Sequence, residues 1–167
     1  RSLPPEAATA PVLQRISGLD PVIGAFRDVD AFAARQRARE IDSQRQAGRD
    51  LGPLMGLPIA VKEIFRVDGF PFGAGTDIDI ADLVPTQGPF VSALKHQGCI
   101  VLGTTKSTEF AASTINNKKS MPWNPWDAGT RRVCGGSSHG SAAALAAGMS
   151  GFSIVSDPGG LCRLPAG

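Results

Sequence analysis

Two segments of this chain carry side chains that could do acid–base or nucleophilic chemistry. The first is Lys62, at the end of the apolar run GPLMGLPIAVKEIF (52–65). A lysine there can pack its stem inside and send its ammonium to water. It can also be desolvated enough to fall below its usual pKa of about 10.4 and accept a proton as a neutral amine. The second is GGSSHGS (135–141), a serine-rich loop opening an alanine-rich segment. Read alone, it caps the helix that follows, with Ser138 or Ser141 as N-cap, or it cradles a phosphate. It lacks the G-K-[ST] ending, and GTTKST (103–108) lacks the upstream glycine of a P-loop, which argues against a nucleotide. GGSSHG is not a G-x-S-x-G nucleophile elbow either. Cys99, Cys134 and Cys162 form no C-x-x-C pair and no Cys/His cluster, so neither a disulfide framework nor a metal site is indicated.

The elements that must position these residues follow from periodicity. Residues 1–10, with two prolines and many small side chains, read as an extended lead-in before a domain spanning 11–167. Val12, Leu13, Ile16 and Leu19 suit a short helix over 11–19, which Asp20-Pro21 should break. Two readings fit 22–47: continuous helical spacing, or a short strand at IGAF before a helix from about Asp30. Buried strands are expected in 52–65, ending near Lys62, and in CIVLGTT (99–105), where Cys99 is a small buried hydrophobe. A short helix lies between them at 89–97. Residues 116–136 read as a long ordered loop, 141–149 as a closely packed small-residue helix, and FSIVSD (152–157) as a strand ahead of a PGG turn. The alternation of strand and helix argues an α/β fold.

Composition excludes several classes. The 167 residues are 42% hydrophobic and 19% charged, as in a globular domain. A net charge of +2 gives no ground for nucleic acid or an anionic membrane, and the arginines of 35–49 alternate with acids as on a solvated helix face. No apolar run approaches a membrane span, and a cytoplasmic location is the expectation.

Taken together and in order, GPLMGLPIAVKEIF, VLGTTKSTEFA, NPWDAGTRRVCGGSSHGSAAALAAG and SDPGGLCRLPA resemble the amidase signature family. The resemblance implies an α/β fold with a large mixed β-sheet surrounded by helices. It also implies hydrolysis of carboxamide C–N bonds through an acyl-enzyme, by a Ser–cis-Ser–Lys triad that needs no cofactor. Lys62 matches the family's base. Ser137, across a cis peptide bond, matches the serine that bridges base to nucleophile, with Ser138 beside it. The nucleophile lies in a D-[TG]-G-G-S-x-R segment. Aligning Asp157, Gly159, Gly160 and Arg163 without gaps puts Leu161 at its position.

Leucine has no oxygen with which to attack a carbonyl, and loss of a triad serine costs about a million-fold in kcat. Backbone N–H groups of this segment form the family's oxyanion hole, to which Gly159 and Gly160 would contribute, but Pro158 has no N–H. One lost donor costs roughly 3–4 kcal/mol of transition-state stabilisation. His139 stands where the family usually has glycine. Cys162 could replace the serine as a thiolate, although a buried apolar cysteine is the default reading. In the family the domain runs far beyond 167 residues, so the chain is expected to be a truncated N-terminal portion. The missing part would supply further strands and most of the acyl pocket, and open strand edges would invite it or an oligomer partner. The expected function is an amidase by descent, inactive in this chain. The alternative is a non-catalytic fragment that binds a small-molecule amide or a protein.

Overall fold

The computed structural model describes residues 3–115, 121–127, 129–160 and 162–166. Four strands form one mixed sheet in the order β1-β3-β2-β4: β1 (Phe26–Val29), β2 (Pro58–Lys62), β3 (Ile100–Thr105) and β4 (Ser153–Ile154). β2 runs parallel to both β3 and β4, while β1 lies antiparallel to β3. The helices are α1 (Pro5–Ile23), α2 (Ala31–Gln46), α3 (Pro89–His96), α4 (His139–Ala146) and a short α5 (Arg163–Ala166).

Every residue of β2 and β3 is buried, as expected for strands covered on both faces. Side chains alternate between two cores. Ala60, Ile100 and Leu102 join Leu13, Ile16, Ile41 and Met149 beneath α1, α2 and α4. Ile59, Val61 and Val101 join Val67, Val91 and Ile154 on the other face. Lys62 shares the parity of Ala60 and so projects toward α4.

The small residues of α4 let its first turn press onto the sheet. A Cβ at Gly140 would fall 2.4 Å from the Ala25 carbonyl oxygen and 2.5 Å from the Lys106 backbone nitrogen. Those neighbours are backbone and cannot step aside, so glycine is required there.

Four expectations need correction. The extended lead-in at 1–10 is wrong from residue 5 onward, because α1 begins at Pro5, where the fixed φ of proline suits a first helical turn. Thr9 donates to the Pro5 carbonyl at 2.8 Å, and both residues are buried. The break at Asp20-Pro21 does not occur. Packing of Leu13 and Ile16 carries α1 to Ile23, and Asp20 closes its end by accepting from Ala25 N at 2.7 Å, while Gly24 N donates to the Asp20 carbonyl. Within 22–47 a strand does precede a helix, but it lies at Phe26–Val29 instead of IGAF (23–26), because Ile23 still belongs to α1 and Gly24 caps it; Asp30 is the N-cap of α2, accepting from Ala33 N. The strand at 152–157 shrinks to two residues, since the chain turns Ser156 toward Lys62 instead of continuing the ladder. Of the loop at 116–136, residues 116–120 and 128 lie outside the described residues.

Leu102, fully buried in the α1–α2–α4 core, should lose about 2–5 kcal/mol of stability as Leu102→Ala. The exposed Leu83 should change by less than about 0.5 kcal/mol as Leu83→Ala. Urea midpoints at constant slope measure both.

Candidate functional site

Lys62 ends a fully buried strand, and its neighbour Glu63 continues the ladder by donating N–H to the Thr105 carbonyl at 3.0 Å. The whole lysine side chain is therefore inside, with no exposed surface. Its Nζ donates to three serine hydroxyls: Ser137 at 2.7 Å, Ser138 at 2.9 Å and Ser156 at 2.9 Å. Burial lowers the amine's pKa from 10.5 to about 8, opposed by the nearby acidic groups of Cys162, Glu63 and Asp157. At pH 7 roughly a tenth of this amine is neutral and able to accept a proton, and about half of it is at pH 8.

The loop that delivers two of these hydroxyls is held in place. The Gly136–Ser137 peptide bond is cis, as the resemblance implies. The Ser137 carbonyl accepts from Thr108 N at 3.1 Å. Ser138 occupies the N-cap position of α4 but makes no side-chain cap bond. Its hydroxyl accepts from Lys62 and reaches the Ser156 carbonyl at 3.4 Å. Ser141 is not a cap either, and instead shares a buried hydrogen bond with Thr105 at 2.7 Å. Beside Lys62, Glu63 is locked by Ser107 N at 2.6 Å and by Arg27 Nη1 at 2.6 Å.

The Asp157–Arg163 segment is a separate knot. Asp157 accepts from Arg163 Nε at 2.8 Å and from Cys162 N at 3.3 Å. The Arg163 hydrogen bond, followed by the Cys162 and Gly160 N–H groups, holds its carboxyl below the usual range. Gly159 and Gly160 make the turn, with φ of 85° and 94°, a region disfavoured for any other residue. Pro158 precedes them without an N–H, and Leu161 lies outside the described residues.

The site residues therefore fall into two groups. Lys62, Ser137 and Ser138 meet at one amine, while Asp157 and Arg163 bind each other at the surface. Ser156 was missed in sequence reasoning. It was visible only as the residue before D-P-G-G, where no spacing rule marks it. The expected burial of Cys162 is also corrected: it is half-buried and lines a cleft of about 490 Å³ with Ser138, Ser141, Cys134, Trp126 and Leu145. Among the described residues no group of three or more His, Cys, Asp or Glu side chains could hold a metal ion, and no helix is long and apolar enough to cross a membrane.

Residues 7–167 match the Amidase family. The chain belongs to this family. It is 40% identical over 99% of its length to a glutamyl-tRNA(Gln) amidotransferase subunit of Acidothermus cellulolyticus, of which it covers 33%. It is 37% identical over 92% of its length to 2-amino-5-chloromuconic acid deaminase of Comamonas testosteroni, covering 34% of that protein. A solved amidase structure superposes with a TM-score of 0.90 at 33% identity, over 99% of this chain and 38% of that one. The chain thus spans about a third of the length of these family members, and the mixed sheet with its helices is theirs.

His139, at the start of α4, is 1% exposed, and its Nδ1 has no hydrogen-bond partner among the described residues. Burial lowers its pKa from 6.5 to about 4, with Lys62 and Lys106 adding to the effect. Between these values the unfolded chain binds the proton and the folded chain does not, so stability should fall as pH drops from 6.5 toward 4. His139→Gln should flatten that part of the stability–pH curve relative to the unsubstituted chain, as read by urea unfolding at several pH values.

Proposed function

We propose that this chain carries the proton-relay half of an amidase site without its nucleophile. The observation that carries the reading is the buried Lys62 amine, 2.7 Å from the Ser137 hydroxyl, in a member of the Amidase family. In this arrangement neutral Lys62 takes the Ser137 proton as Ser137 takes one from an attacking hydroxyl. The substrate class is a small carboxamide, seated in the cleft beside Ser138, and no cofactor takes part.

Leu161 at the nucleophile position offers no hydroxyl to deprotonate. Pro158 has no N–H to offer as an oxyanion donor. Loss of one triad serine alone lowers kcat by about a million-fold. In this reading the 167-residue chain binds amides and does not turn them over, whereas a relative with serine at that position hydrolyses them through an acyl-enzyme. A cytoplasmic location and an oligomer partner belong to the same reading.

The test follows ammonia release from one aliphatic and one aromatic primary amide. The 167-residue chain, its Ser137→Ala variant and a full-length family member with the serine are run side by side. The expected result is a flat trace for the first two and turnover for the third. Release by the unsubstituted chain that disappears in Ser137→Ala would overturn the claim that the nucleophile is lost.

A further inference from the structure

We propose that Ser156 is an acyl-accepting hydroxyl of this chain, activated by Lys62 and reactive toward activated carboxylic esters such as aryl acetates. This rests on the reading of Lys62 as a base but goes beyond it, because that reading leaves the chain without a nucleophile.

The three hydroxyls around Nζ differ in access. Ser137 is completely buried and Ser138 is 1% exposed, whereas Ser156 is only half-buried, just beyond β4 and next to the exposed Asp157 and Pro158. They differ in their protons too. The Ser138 hydroxyl reaches the Ser156 carbonyl, while the Ser156 hydroxyl has the basic Lys62 amine 2.9 Å away. A serine and a lysine at that distance, with the amine desolvated, form a nucleophile and base without a third residue. The pKa of about 8 leaves roughly half the amine neutral at that pH.

The step balances as follows. Ser156 Oγ forms a bond to the ester carbonyl carbon while Lys62 Nζ takes the hydroxyl proton. The tetrahedral adduct collapses, the carbonyl carbon–aryloxide bond breaks, and aryloxide leaves with the electron pair. The products are an ester on Ser156, free aryloxide and a Lys62 ammonium that returns its proton to solvent. An aryloxide leaves without being protonated, whereas the amine of an amide does not, so acylation by aryl esters is compatible with no amide turnover. Aryloxide is a better leaving group than the Ser156 alkoxide that water must displace from the acyl-enzyme, so acylation outruns deacylation and the acyl group should accumulate.

The experiment treats the 167-residue chain with p-nitrophenyl acetate at about half a pH unit above the amine's pKa, follows nitrophenolate, and maps acetyl groups by peptide mass spectrometry. The expected result is a burst approaching one nitrophenolate per chain, with acetyl on Ser156. Its rate should fall on the order of a hundredfold in Ser156→Ala and in Lys62→Met. No burst, a burst undiminished in Ser156→Ala, or acetyl on Cys162, Ser137 or Ser138 in place of Ser156 overturns the proposal and leaves the role of Lys62 as base standing. Acetyl on Ser156 at an undiminished rate in Lys62→Met overturns the role of Lys62 itself.

Discussion

The structure depends on placing one amine inside a protein. A lysine ammonium removed from water without partners costs several kcal/mol, and Lys62 has no exposed surface. Three hydroxyl acceptors surround it, matching the three protons of an ammonium. Hydrogen bonds to a charged group contribute about 1.5–3 kcal/mol each, enough to offset much of the burial but not all of it. The remainder appears as the lowered pKa. The amine is therefore held in place and kept close to losing its proton.

Much of the surrounding fold serves that placement. The central position of β2, between β3 and β4, removes Lys62 from solvent. The close seating of α4, which only a glycine at 140 permits, brings Ser137 and Ser138 over the strand end. The short β4 releases the chain in time for Ser156 to complete the ring. Glu63, although adjacent, spends its carboxylate on Ser107 and Arg27, so it fixes the strand end without forming an ion pair with the amine. His139 stays neutral beside it and adds no competing charge at neutral pH.

Legibility in the sequence followed physical strength. The buried strands at 58–62 and 100–105 announced themselves as apolar β-branched runs, and the Lys62–Ser137 pairing followed from ordered motifs. Local chemistry misled where tertiary packing was stronger. Pro21 reads as punctuation, yet α1 continues through it because Leu13 and Ile16 are anchored in the core. Ser156 was invisible as a site residue because nothing in its neighbours records that the chain bends back toward an amine 94 positions earlier. Cys162 looked like a buried hydrophobe, whereas it lines the cleft, because the Asp157 knot turns the chain at that point.

The most direct measurement is the titration of the Lys62 amine itself, followed through lysine side-chain nitrogen resonances by NMR and assigned with Lys62→Met. A buried amine among three hydroxyls should titrate near 8, well below the ordinary lysine value of 10.5. A Lys62 that titrates at the ordinary lysine value of 10.5 would mean that the amine is solvated and cannot serve as the base for either Ser137 or Ser156.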